Sequence, residues 1–329
     1  MRSATRDLAT AATQNLAQRH PDAVVGVLDE TGEPTFAGAG ESSPDERSLF
    51  EIGSISKVFT ALVLADEVIR GNLSLDQPVR ELLPPETVLP SRGGTEITLA
   101  HLATHTSGLP RMPLKGLRPW LGFLGGHNPY APVTPDVLLD RLAGTKLSRT
   151  PGTGKIAYSN FGFGLLGLAL VNATGALDYE QLIVDRVCKP LGLTDTAVHV
   201  GDIRLLPGHR RRGSADPWLL TGIAGAGALR SCAADLITFL AAQLDPDSTP
   251  LGEAIRLTHA EQVPGIGLGW MLATKPNLLI WHNGGTGGYR CFAGFLPEKD
   301  IAVVVLANSV RSVDLAALRL IKDLSELSE

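Results

Sequence analysis

Cysteine is scarce, with only Cys188, Cys232 and Cys291 in 329 residues and no Cys-x-x-Cys spacing among them. An odd, scattered set suits neither a disulfide framework nor a thiolate zinc site, so all three are read as free, small, buried residues and no metal is expected. Long apolar runs are lacking too. The segment Met1 to Asp7 has no signal-peptide core of about seven or more apolar residues, and no stretch approaches the ~18 that a membrane span requires. The chain as it stands is therefore expected in the cytoplasm, without a membrane partner. Nor is there an excess of positive charge: 29 Lys and Arg against 34 Asp and Glu leave a net charge of −5. The one basic cluster, Arg210-Arg211-Arg212, reads as a solvated loop, so the footprint of a nucleic-acid binder is missing.

Several catalytic signatures are also absent. Neither Gly-x-Ser-x-Gly nor His-Glu-x-x-His occurs, which removes the α/β-hydrolase elbow and the zincin helix. A Gly-x-Gly-x-x-Gly match at Gly162, Gly164 and Gly167 follows Tyr158-Ser159-Asn160-Phe161 instead of a strand, so these glycines are read as permitting close helix packing. The segment Gly152-Thr153-Gly154-Lys155 lacks the leading glycine of a phosphate loop, and Ile156 stands where that loop needs Ser or Thr. No cofactor is expected.

What remains is a compact globular composition, 44% hydrophobic and 19% charged. The length suits two domains, or one core carrying an insertion. Apolar positions Leu8, Ala11, Ala12 and Leu16 predict a helix over Asp7 to Arg19, followed by strands over Ala23 to Leu28 and Thr35 to Ala39. Near the other end, Cys291 to Leu296 and Ile301 to Leu306 flank a Pro297-to-Asp300 turn, and an amphipathic helix runs from Val313 to Leu327. Between Leu73 and Leu244 the pattern is helical, broken by Pro/Gly-rich loops such as Leu109 to Pro135. The expected fold is α/β: a mainly antiparallel sheet flanked by helices and built from both termini (1–72 and 245–329), with a helical inserted part (73–244) and a cleft between them.

Three elements carry chemistry. In the first, Ser54-Ile55-Ser56-Lys57 opens a helical stripe of Val58, Phe59, Leu62, Val63 and Ile69. Residues three apart share a helix face, so Lys57 approaches the Ser54 hydroxyl. A serine alcohol is a poor nucleophile until a neighbouring base takes its proton, and a desolvated amine with a lowered pKa can do that. In the second, Tyr158-Ser159-Asn160, the tyrosine beside a lysine cation is expected to have its phenol pKa lowered and to act as base or shuttle, while Asn160 orients the lysine or a substrate amide. The third is Trp281-His282-Asn283-Gly284-Gly285-Thr286-Gly287-Gly288-Tyr289, whose four glycines let another backbone approach closely, as a substrate-binding edge strand requires.

In this order and separation, the three elements resemble the active-site signature of the serine β-lactamase and penicillin-binding-protein superfamily, of the class C β-lactamase and esterase kind. The resemblance runs from about Val24 to Leu306. It is reinforced by Leu99 to Pro110 (Leu-Ala-His-Leu-Ala-Thr-His-Thr-Ser-Gly-Leu-Pro), by Asn128-Pro129-Tyr130 and by Ile223 to Leu229. It implies that Ser54 is acylated, that Lys57 is its partner and Tyr158 the general base, that Asn160 binds a substrate amide, and that the backbone N–H groups of Ser54 and Gly285 hold the oxyanion. One departure stands out. Class C β-lactamases have Lys-Thr-Gly where this chain has His282-Asn283-Gly284, so the site for a β-lactam carboxylate is altered, and the charge of His282 is expected to change with pH near neutrality.

The expected function is a serine hydrolase acting through an acyl-enzyme on a small-molecule ester or amide, with poor β-lactamase activity. Two rivals are an acyltransferase that passes the acyl group to an alcohol or amine, and a non-catalytic binding module. The oligomeric state is left open.

Overall fold

The computed structural model describes residues 2–114, 128–153, 156–200 and 204–327. Gly154 and Lys155 of the loop that resembles a phosphate site, and residues 115–127 of the Leu109-to-Pro135 loop, lie outside the described residues.

Helix α1 (Arg2–Ala17) begins five residues earlier than the apolar stripe predicts. Strands β1 (Asp22–Leu28) and β2 (Thr35–Gly40) follow, and the C-terminal part supplies β3 (Met271–Ala273), β4 (Leu279–Gly285), β5 (Arg290–Leu296) and β6 (Ile301–Ala307). All pair antiparallel in the order β2-β1-β6-β5-β4-β3, so the two ends of the chain meet at the β1–β6 ladder. The sheet is the expected one, built from both termini.

Strands β1 and β6 are buried along their whole length because both sheet faces are covered. Alternation then divides their side chains between two cores. Val25, Val27, Val303 and Val305 pack with Leu16 of α1 and with Leu320 and Leu324 of the C-terminal helix Asp314–Leu327. Val24, Val304 and Leu306 face the larger core, which includes Leu236, Ile237 and Leu240 of the helix Ala233–Leu244. That larger core continues into the helix Ser56–Ile69, buried from Ser56 to Glu67, and into the apolar helix Asn160–Thr174.

The glycines of that last helix serve packing, as expected. A Cβ on Gly164 would stand 2.7 Å from the Ile223 side chain, and one on Gly167 would stand 2.9 Å from the Cα of Gly225. They let the segment Ile223 to Leu229 lie against the helix, and this places the Ala226 carbonyl beside the lysine described next. Among the described residues, no single helix is long and apolar enough to cross a membrane.

Candidate active site

Ser54 sits in a 3-10 turn, Gly53–Ile55, that runs directly into the helix Ser56–Ile69. Gly53 has φ +50°, and a Cβ there would lie 2.6 Å from the Gly285 nitrogen, so only glycine permits the turn to press against β4. Ser54 remains half-buried at the mouth of a cleft of about 620 Å³. Tyr158, Asn160, Asn283, Gly284 and Gly285 line the same cleft. Strand β3 pairs with β4 only as far as Trp281, which leaves residues 282–285 as a free edge beside Ser54. The Gly285 amide thus reaches the Gly53–Ser54 turn, consistent with an oxyanion site shared between those backbones.

Lys57 is fully buried one turn along the helix. Its Nζ lies 3.1 Å from Ser54 Oγ, 2.9 Å from Asn160 Oδ1 and 2.5 Å from the Ala226 carbonyl. Burial, reinforced by the Arg111 guanidinium, holds its pKa well below the usual lysine value. This shell suits both protonation states. An ammonium donates to all three oxygens, whereas a neutral amine donates to Asn160 and Ala226 and offers its lone pair to the Ser54 hydroxyl. Both sets of bonds fit the same heavy-atom positions.

Asn160 is committed on both sides, since its Oδ1 accepts from Lys57 and its Nδ2 donates to the Tyr130 hydroxyl at 2.7 Å. It therefore orients the lysine, and Tyr130 of the Asn128-Pro129-Tyr130 segment fixes which way its amide faces. Tyr158 stands just before the Asn160–Thr174 helix, whose N-cap Ser159 accepts from Gly162 N–H. Its phenol faces Ser54, and Lys57 Nζ lies 4.9 Å from its ring centroid.

The expectation of a lowered phenol pKa is overturned. Burial raises it, and the opposing pulls of the Ser54 contact and of Arg111 are smaller. The physical reason is that the phenol itself is buried, and a phenolate would lose its hydration there.

The expectation for His282 is corrected as well. Its ring is 1% exposed and turned inward, 6.3 Å from the Tyr158 ring, and it does not line the cleft. Burial, then repulsion from Lys57, lowers its pKa to about 3, so it stays neutral across the physiological range instead of titrating near neutrality. Its Nδ1 donates to the Asn283 carbonyl at 2.6 Å.

Three contributors escaped sequence reasoning. Arg111 places its guanidinium 5.0 Å from the Tyr158 ring centroid on the cleft wall. His105, within the Leu99-to-Pro110 segment, packs at 4.4 Å from that ring and accepts from Ser159 N–H. Asp314 reaches the cleft from the C-terminal helix and accepts from Asn283 Nδ2 at 3.1 Å. Only the His105 segment carried a sequence signal, because nothing in the pattern around Arg111 or Asp314 shows which way they face.

A serine at the cleft mouth paired with a buried lysine at the foot of a free edge strand, with a tyrosine delivered from the helical part, is the arrangement of the serine β-lactamase and penicillin-binding-protein superfamily. A family model described as Beta-lactamase matches residues 8–326, and the chain belongs to that family. It is similar to the D-alanyl-D-alanine-carboxypeptidase/endopeptidase AmpH of Escherichia coli K12, at 30% identity over 86% of this chain and 78% of the relative. It is also similar to the Beta-lactamase of the same strain, at 28% identity over 88% of this chain and 85% of that protein. Among solved structures, the class C β-lactamase of Rhodobacter sphaeroides matches with a TM-score of 0.81 at 25% identity, covering 98% of this chain and 99% of that one. The β-lactamase/D-alanine carboxypeptidase of Yersinia pestis, complexed with citrate, matches with a TM-score of 0.79 at 25% identity, covering 99% and 98%.

Proposed function

We propose that this protein is a serine hydrolase that forms an acyl-enzyme at Ser54 on an ester or amide substrate. The observation that carries this reading is the Lys57 shell, which holds a buried amine of lowered pKa 3.1 Å from the Ser54 hydroxyl. Ser54 Oγ attacks the carbonyl carbon as Lys57 Nζ takes its proton, and the oxyanion rests on the Ser54 and Gly285 amides. The Tyr158 phenol, neutral at rest, then relays a proton to the departing oxygen or nitrogen, and the carbonyl re-forms as an ester to Ser54. Water, deprotonated along the same route, releases the acid and restores the serine.

The third element argues for esters or amides over β-lactams. A lysine there would be a permanent cation for a substrate carboxylate, whereas His282 is buried and neutral and Asn283 is tied to Asp314. A carboxylate entering this place lacks the cation that a lysine would supply there, a loss that costs binding. The test is turnover of a p-nitrophenyl ester with and without a panel of amine and alcohol acceptors. Release of free acid at a rate indifferent to acceptor supports hydrolysis. Acylated acceptor as the main product would favour an acyltransferase, and no turnover of any ester would favour a binding module.

A further inference from the structure

Where the superfamily resemblance leads one to expect a carboxylate site, this chain places a carboxylate of its own. Asp314, in the first turn of the helix Asp314–Leu327, is half-buried on the cleft wall, and its backbone N–H donates to Ser312 Oγ at 3.2 Å. Its Oδ2 lies 3.1 Å from Asn283 Nδ2. An ionised carboxylate only accepts, so the Asn283 amide must turn its NH2 to Asp314. The Asn283 oxygen is then the atom left for a substrate.

The polarity is the reverse of a hydroxyl or ammonium donor. Two cations also line the cleft, Arg111 and Arg290, and Arg290 is close enough to Asp314 for their charges to interact. Arg290 donates its Nη1 to the Thr286 and Tyr289 carbonyls, and Arg111 lies over the Tyr158 ring.

On the acyl-enzyme reading the leaving group departs beside Tyr158, in the cleft that Asn283 also lines. We infer that Asp314 positions Asn283 as a hydrogen-bond acceptor, and that the pair selects leaving groups bearing a donor such as an amide N–H and rejects those bearing a carboxylate. The inference rests on the acyl-enzyme reading and deepens it. A donor-bearing group completes the Asn283 oxygen, whereas a carboxylate at this position faces the Asn283 and Asp314 oxygens.

The test uses two esters of one acyl group, with 3-carbamoylphenol and 3-carboxyphenol as leaving groups, and phenyl ester as a control on the acyl-enzyme reading. Wild-type protein is expected to prefer the carbamoyl ester in kcat/KM by roughly tenfold or more, since unpaired buried polar groups discriminate strongly. In Asp314→Asn the preference should shrink at least fivefold relative to wild type. Comparing the ratio between variants cancels the intrinsic reactivity of the esters. Asn283→Thr, which offers a hydroxyl donor, should shift it in the same direction and serves if Asp314→Asn does not fold.

A merely structural role for Asp314 would slow both esters together and leave their ratio unchanged, and that result overturns the inference. If phenyl ester is not turned over, the acyl-enzyme reading fails separately. Calorimetric binding of 3-hydroxybenzamide against 3-hydroxybenzoate to the same variants then decides the selectivity: tighter benzamide binding that is lost in Asp314→Asn supports it, and equal binding contradicts it.

Discussion

A Cβ on Gly284 would stand 1.9 Å from the carbonyl oxygen of Ile52, so β4 and the segment leading to Ser54 touch backbone to backbone. That contact sets the distance between the nucleophile's turn and the edge strand. At Gly285, one residue on, the nearest atom to a Cβ would be Arg290 Nη1 at 2.8 Å, the far end of a flexible side chain.

Gly284→Ala is therefore expected to destabilise the fold by about 3 kcal/mol or more, within the range of severe overpacking. Gly285→Ala should fold, with Arg290 displaced. Urea midpoints of the two variants check this, and equal midpoints would contradict the close approach.

Tyr158→Phe keeps the ring between His105 and His282 and removes the proton relay. Turnover is expected to fall by about a hundredfold or more, the size of a general acid–base contribution. Circular dichroism and the thermal midpoint should change little. Near-normal turnover would mean that Lys57 and water alone move the proton.

Activity toward a chromogenic cephalosporin should stay far below the kcat/KM of ~10⁶ M⁻¹s⁻¹ common among efficient enzymes. Its pH dependence carries a sign. Lys57 acts as a base only when deprotonated, so the rate should not rise as pH drops from 8 to 5 and should fall wherever pH passes through its lowered pKa. His282, with its pKa near 3, adds no attraction for the carboxylate over that range. A rate that climbs toward pH 5 would mean that an imidazolium forms in the cleft.

Much of this was legible in the chain because it is local. The i, i+3 spacing of Ser54 and Lys57 places them on one helix face, and the strands at Cys291 to Leu296 and Ile301 to Leu306 announce themselves by composition and an intervening turn. What escaped is tertiary. The direction of the Tyr158 pKa depends on how deeply the phenol is buried, which no spacing encodes, and His282 faces inward because β4 presents that side of its pleat to Tyr158. Asp314 looked like an ordinary N-terminal residue of an amphipathic helix. Its meaning comes from Asn283, 31 residues earlier, across a strand hairpin.

Every step proposed for the cleft depends on the covalent step at Ser54. Intact mass after incubation with a fluorophosphonate, followed by peptide mapping, is the most direct measurement of it. One adduct per chain on the peptide containing Ser54 is expected. It should be absent in Ser54→Ala, which should fold normally, because alanine at a helix start costs only about 1 kcal/mol. An adduct that persists in Ser54→Ala at another serine, or no adduct on the native protein, would contradict the assignment of Ser54 as the nucleophile.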